Sequence, residues 1–286
     1  MRRRGLPTWL VVPLLVAVAG VAFAASSITP AAGEKPAPVQ LFATPSAVSF
    51  VPRPCLPGKL TVGMRNASSA PVYADMFIEP ETPLSVSRTV FSSYVPPGYE
   101  TTVPLEVTAG RDTPPGDYGV VLRSGRAQYR VPVTVLPPPA SAGANRAYGE
   151  RAVPSSTHSS FSRCGAVDGN ANSDDWSTRT GWNDGTSRVF PDHYTVELAG
   201  PAAIGRVDVH TLDSTRYPAS RFGLRDWDVQ VRAAGAWQTV AEVRGNAAGL
   251  VSSRFPPVTG DAVRVLALAS NDANYSRIVE LEAFAE

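Results

Sequence analysis

Between residues 40 and 136 apolar side chains recur at every second position, and helical spacing is almost absent. Leu60, Val62 and Met64 alternate with other residues, as do Val72, Ala74, Met76 and Ile78. Val103, Leu105 and Val107 continue the pattern, followed by "YGVVL" at 118–122 and by Val131, Val133 and Val135. Successive side chains of a strand point to opposite faces, so this period predicts half-buried strands and excludes a helical bundle. The stretches "RNASSAP", "VPPGYE" and "DTPPGD" between the runs supply the turns.

About seven short strands in about a hundred residues predict an immunoglobulin-like sandwich over 40–136. The segment 137–145, "PPPASAGAN", is rich in Pro and small residues and reads as a linker between two domains. Beyond it, 146–286 is also β-rich, with strands expected at 194–198, 204–212, 227–232, 237–243, 251–255, 263–268 and 278–284. Its connections are longer, polar and aromatic, which suits a jelly-roll whose loops gather at one end. The fold class is therefore all-β, an immunoglobulin-like sandwich followed by a β-sandwich jelly-roll.

The first residues, "MRRRGLPTWLVVPLLVAVAGVAFA", combine a basic start, an apolar run and small residues at Ala22 and Ala24. That is the form of a secretory signal, residues 1–24, followed by a flexible tether over 25–39. The alternative, a retained anchor, is opposed by Pro13 within the run and by the cleavage pattern. The expected localisation is secreted, extracellular or at the cell envelope, with no membrane insertion after cleavage. Formal net charge is +1, and Arg2, Arg3 and Arg4 lie in the acid-free leader, so the chain without it falls to −2. Nothing in that charge draws the protein to nucleic acid. Cys55 and Cys164 stand on either side of the linker; they form a bridge if the domains dock and otherwise are two small buried residues.

Three stretches of the C-terminal half carry a resemblance. "AVDGNANSDDW" at 166–176 resembles the opening of discoidin domains, also called coagulation-factor type C domains, which overlap family 32 carbohydrate-binding modules. "FGLRDWDVQVRAAGAWQTV" at 222–240 resembles their central strands, and "YSRIVELEAF" at 275–284 their closing strand. Thr101 to Leu122, with its "PPG-D-Y" turn, is similar to bacterial immunoglobulin-like modules that act as spacers beside such domains.

The resemblance implies a calcium ion in a structural role. Asp168, Asn170 and Ser173 offer a carboxylate, an amide oxygen and a hydroxyl, and Glu280 matches the glutamate that completes the site in related modules; calcium favours such hard oxygens. It also implies an aromatic ligand contact soon after a buried tryptophan. Trp176 takes the core position, and Trp182, six residues on in "GWNDG", is expected to face solvent as a platform for a sugar ring. Asn183, Asp184, Asp213, Arg216, Tyr217, Asn271 and Asn274 are the candidate polar contacts. Family members often carry His directly after the first tryptophan; Ser177 stands there, so galactose specificity does not follow.

His158, His193 and His210 fall in no metalloprotease or triad motif, and Asp174 and Asp175 are adjacent rather than opposed, so no enzymatic activity is expected. The expected partner is a glycan or polysaccharide, with a cell-surface protein, bound by the same loops in an adhesion or envelope module, as the alternative.

Overall fold

A computed structural model describes residues 38–138 and 144–286. The leader, all of the tether but its last two residues, and the middle of the linker lie outside the described residues. Among the described residues no helix is long and apolar enough to cross a membrane.

The N-terminal domain packs two sheets. One orders β1 (Val39–Thr44), β3 (Gly58–Asn66), β7 (Glu100–Ala109) and β5 (Leu84–Val86). The other orders β2 (Val48–Phe50), β9 (Ala127–Val135), β8 (Gly116–Ser124), β4 (Val72–Pro80) and β6 (Val90–Val95), with β2 parallel to β9. The alternation works as the sequence requires. Ala74, Met76 and Ile78 of β4 enter the core with Val103, Leu105 and Val107 of β7, while Tyr73 and Phe77 face outward. Each of the larger buried ones, Met76, Ile78, Leu105 and the valines, contributes about 1.5–3 kcal/mol relative to an exposed one.

The C-terminal domain is one sheet that wraps around its own core. Its strands are β10 (Arg151–Pro154), β11 (Trp182–Asn183), β12 (Asp192–Thr211), β13 (Leu224–Ala233), β14 (Ala236–Val243), β15 (Leu250–Ser270) and β16 (Arg277–Phe284), with the short helix α1 (Ala219–Phe222) before β13. The sheet order is β11-β16-β12-β15-β13-β14, with β10 on the outer part of β12. The expected strands 194–198 and 204–212 are one strand, β12; likewise 251–255 and 263–268 merge into β15. Turn-like residues such as Gly200 and Pro201 do not end β12, because the register shifts between Glu197 and Ala202 and the chain bends through. Both arms thus feed Val196, Val207, Val209, Val263 and Val265 into a single core with Trp227, Val229 and Leu281.

The two domains meet along a seam. Cys55 and Cys164 are joined, with Cα atoms 5.2 Å apart. The Cys55 amide donates to Gly149 O at 2.9 Å, and Arg53 and Arg111 both pair with buried Glu150. Gly149 has φ +65°, and a Cβ there would sit 2.7 Å from Leu56, so the close approach requires glycine. Burial raises the Glu150 carboxyl pKa, and Arg111 opposes that shift.

The bridge closes a loop across 109 residues of sequence. Replacing Cys55 and Cys164 together by Ser should then cost about 4–5 kcal/mol through the unfolded chain's regained freedom. Denaturant unfolding of the double variant beside the oxidised protein measures this; equal midpoints would refute it.

Candidate functional site

At one end of the C-terminal domain, the turn Ser173–Asp175, the loop 156–165 and the loop 213–218 surround a cleft of about 520 Å³. Its aromatic lining is Trp176, Phe161, His158 and Tyr217, joined by Arg216 and Asp174. The Phe161 and Trp176 ring centroids lie 4.7 Å apart, and His158 meets Phe161 edge-on at 5.9 Å. The Arg216 guanidinium sits 5.2 Å over the Tyr217 ring, which itself abuts Phe222 edge-on. Hydroxyls of Ser160, Ser173, Ser177, Thr178 and Ser214 complete the wall. Trp176 is only partly buried. Its ring lies against Gly181, where a Cβ would fall 2.4 Å from it and where φ is +92°. The sequence therefore needs glycine directly before Trp182 so that Trp176 can lie down on the backbone.

Trp182 does the opposite of what the sequence suggests. It is 0% exposed, packs on Tyr194 at 5.0 Å between ring centroids, and donates its indole N–H to Ser156 O at 2.9 Å. The reason is non-local: Trp182 pairs with Ile278 of β16, which carries it into the core. Asn183 and Asp184 follow it inward and are likewise not ligand contacts. Asn183 Nδ2 donates to Asp184 O, and the Asp184 carboxylate accepts from the Ser276 and Thr186 amides, both at 2.7 Å. Burial raises the Asp184 pKa, against those hydrogen bonds.

Of the other expected contacts, Arg216 and Tyr217 line the cleft. Asp213 lies at its edge, in a small polar hollow with Asn172, Ser173 and Asp174, and its carboxylate accepts from the Ala219 amide. Asn271 and Asn274 are spent on structure: Asn271 Nδ2 donates to Ala219 O and Asn246 O, and Asn274 Oδ1 accepts from the Ser187 hydroxyl. The sequence reading missed Phe161, His158 and the outward face of Trp176. An isolated phenylalanine in "HSSFSRC" was the available signal.

Beside the cleft two acids are drawn into the protein. Burial pushes the Asp168 carboxyl up to about 6, while the Asn170 amide, the Thr180 hydroxyl and Lys59 pull the other way. Burial, with Asp168 adding repulsion, raises Glu280 well above the usual carboxylate range. Glu280 Oε1 accepts from the Gly169 amide, but Oε2 is buried without a partner. Thr180 Oγ1 lies 2.9 Å from Gly165 O, 3.0 Å from Asp168 Oδ1, 2.8 Å from Asn170 O and 3.5 Å from Val279 O. A hydroxyl has one proton to give, so it can serve only one of these four oxygens well, although Gly165 O and Asp168 Oδ1 also accept from the Gly181 and Asn170 amides.

Such a donor set suits a hard cation, for which carbonyl and carboxylate oxygens serve equally. Among the described residues no group of three or more His, Cys, Asp or Glu could hold a metal, so the backbone oxygens matter here. Two expected side-chain ligands do not join the nest. The Asn170 side chain bonds the Asp175 carboxylate and the Asn172 amide, leaving its carbonyl as the available donor, and Ser173 Oγ accepts from the Asp213 amide. Thr180, which stands in the place of a ligand, was not anticipated.

Residues 165–265 match the family model described as a NedA-like, galactose-binding domain of the F5/F8 type C class. This region is a type C, galactose-binding-like domain. No curated protein matches the chain significantly. Among solved structures the chain is similar to chitosan-binding module 1 of a chitosanase/glucanase from Paenibacillus sp. IK-5, at 23% identity over 49% of this chain and 98% of that one, TM-score 0.40. It is also similar to a Streptococcus pneumoniae fucose binding module, at 22% identity over 50% and 95%, TM-score 0.43. A third likeness is a family 32 module from Clostridium perfringens in complex with GalNAc-β-1,3-galactose, at 19% identity over 47% and 94%, TM-score 0.39.

In the type C domain the two tryptophans thus divide core and cleft. Trp182→Ala should cost roughly 3–5 kcal/mol of stability, as truncation of a buried tryptophan does. Trp176→Ala should cost about 1–2 kcal/mol, in proportion to a ring left partly in water. Chemical denaturation of both variants checks the order, and equal losses would contradict it.

Proposed function

We propose that the chain is an exported, non-catalytic carbohydrate-binding protein that takes a glycan in the cleft of its type C domain. The observation that carries this reading is the partly exposed Trp176 ring beside Phe161, opening on a cleft rimmed by hydroxyls and Arg216. A pyranose has an apolar face of C–H groups, which stacks on an aromatic ring, and a rim of hydroxyls, which bond to polar side chains. The cleft lining holds one carboxylate, Asp174, whereas glycoside hydrolysis generally uses two facing one another. That supports binding rather than turnover. Export rests on the leader sequence. The N-terminal sandwich, with β2 parallel to β9 across sheets of four and five strands, is read as an immunoglobulin-like spacer.

A cell-surface protein is the second reading of the partner. It draws on the exposed Tyr73, Phe77 and Tyr94 of the N-terminal sandwich rather than on the cleft.

Calcium in the oxygen nest belongs to the same proposal. Asp168, Glu280, Thr180 and the carbonyls of Gly165 and Asn170 would hold it, neutralising two acids that burial otherwise penalises. The unpartnered Glu280 Oε2 supports this, since a buried carboxylate oxygen wants either a donor or a cation.

Thermal melts of the full chain should rise with millimolar calcium and return with chelator; a ligand at a hundredfold excess over its Kd adds about 2.7 kcal/mol. Glu280→Gln should abolish the response while leaving the chelated protein at least as stable, because it removes a buried charge. An unshifted melt from a verified metal-free sample would remove the ion.

A single shallow saccharide site should bind in the range of roughly 10 μM to 1 mM, about 4–7 kcal/mol. On a glycan array the full chain should give signals that Tyr217→Ala and Trp176→Ala each abolish. Signals unchanged in both variants would move the site elsewhere.

A further inference from the structure

A second cleft, of about 360 Å³, lies in the seam between the domains. The bridged Cys55 and Cys164 line it, together with Leu56 and Lys59 from the N-terminal domain and Arg179, Thr180 and the Asp168 carboxylate from the type C domain. It adjoins the Trp176 cleft, since Ser160, Phe161, Ser177 and Thr178 line both. Phe161 therefore stands between two connected hollows, one aromatic and one in which Lys59 and Arg179 face the Asp168 carboxylate. A sugar ring resting on Trp176 would have its chain neighbour pass over Phe161 into the seam.

Lys59 gives that second hollow its character. It is one of two lysines in the chain and the only one among the described residues. It is the second residue of β3, is exposed, and makes no hydrogen bond or ion pair with any described residue, although register sets Glu106 beside it on β7. Its charge reaches Asp168 across the seam, yet the Asp168 carboxylate is directed to the Asn170 amide and the Thr180 hydroxyl. By contrast, Arg179 is already paired with Asp175. Elsewhere along the seam Arg53 and Arg111 share the Glu150 carboxylate. An ammonium that makes no hydrogen bond or ion pair, at a hydroxyl-lined hollow, is a site for a carboxylate supplied from outside.

We propose that the seam cleft is the second part of the saccharide site, and that Lys59 receives the carboxylate of an acidic sugar, of uronic or sialic type, in the unit next to the one stacked on Trp176. This rests on the proposed saccharide reading and adds the ligand class to it. It also gives the docking a purpose: the N-terminal domain contributes a binding residue, and the bridge holds that residue in place.

The test is an array of matched glycan pairs, each carboxylate-bearing glycan beside its methyl ester, probed with the full oxidised chain. The carboxylate member of a bound pair should be preferred by about tenfold at low salt, as a charge-assisted contact gives, and the preference should fade as salt screens it. Lys59→Gln should bring the ratio of acid to ester to about one, and Lys59→Arg, which keeps the charge, should restore most of it. Equal binding of acid and ester by the wild-type chain overturns the seam proposal and leaves the saccharide reading standing. So does a preference that survives in Lys59→Gln. Binding to no glycan, acidic or neutral, overturns both together.

Discussion

The hydrogen bond from the Trp182 indole to Ser156 O governs how this domain presents its surface. A buried indole must place its N–H on an acceptor, and here the acceptor belongs to a loop rather than to a strand. The same loop is held by the Gly185 amide on Ser156 Oγ and by its own His158 amide on Asn183 O. Three contacts from "WNDG" thus peg the segment that carries His158 and Phe161 to the mouth of the cleft. The stretch that looked like a binding loop is the foundation beneath one. Trp176 can then lie on Gly181 with part of its ring open to solvent, because Trp182 has already filled the core below.

The period-two pattern made the all-β class and most strands of the N-terminal sandwich legible, since alternation there reports directly on which face is buried. The long strands β12 and β15 were read as four pieces: local turn residues at Gly200, Pro201, Pro256 and Pro257 resemble stops, and only pairing across the sheet carries the chain through them. The tryptophans fail for a related reason. Both sit among Asn, Asp, Ser and Gly, so their neighbours do not distinguish them. What separates them is Ile278, nearly a hundred residues away, which takes Trp182 as a strand partner. Asp168 and Glu280 were legible as a pair through the resemblance. Thr180 was not, because a lone threonine among "STRTG" signals nothing until four oxygens close around it.

Two different devices hold the loop end of the type C domain. Glu280 on the last strand reaches the Gly169 amide, so the opening loop and closing strand are held by a carboxylate the core would otherwise reject. The bridge between Cys55 and Cys164 fixes that same loop region to the N-terminal sandwich. A cation at Glu280 and a covalent bond at Cys164 would act on segments only a few residues from Phe161 and Trp176. On the proposed reading, rigidity at the mouth would come from chemistry that an exported setting supplies, oxidising conditions and available calcium.

The central claim is that a sugar ring meets Trp176 and not Trp182. The most direct measurement follows the indole N–H resonances of the full chain while a glycan selected on the array is titrated in. The account predicts that the Trp176 indole shifts progressively with saturation, while the Trp182 indole, held on Ser156, stays in place. A shift of the Trp182 indole with Trp176 unmoved would contradict it.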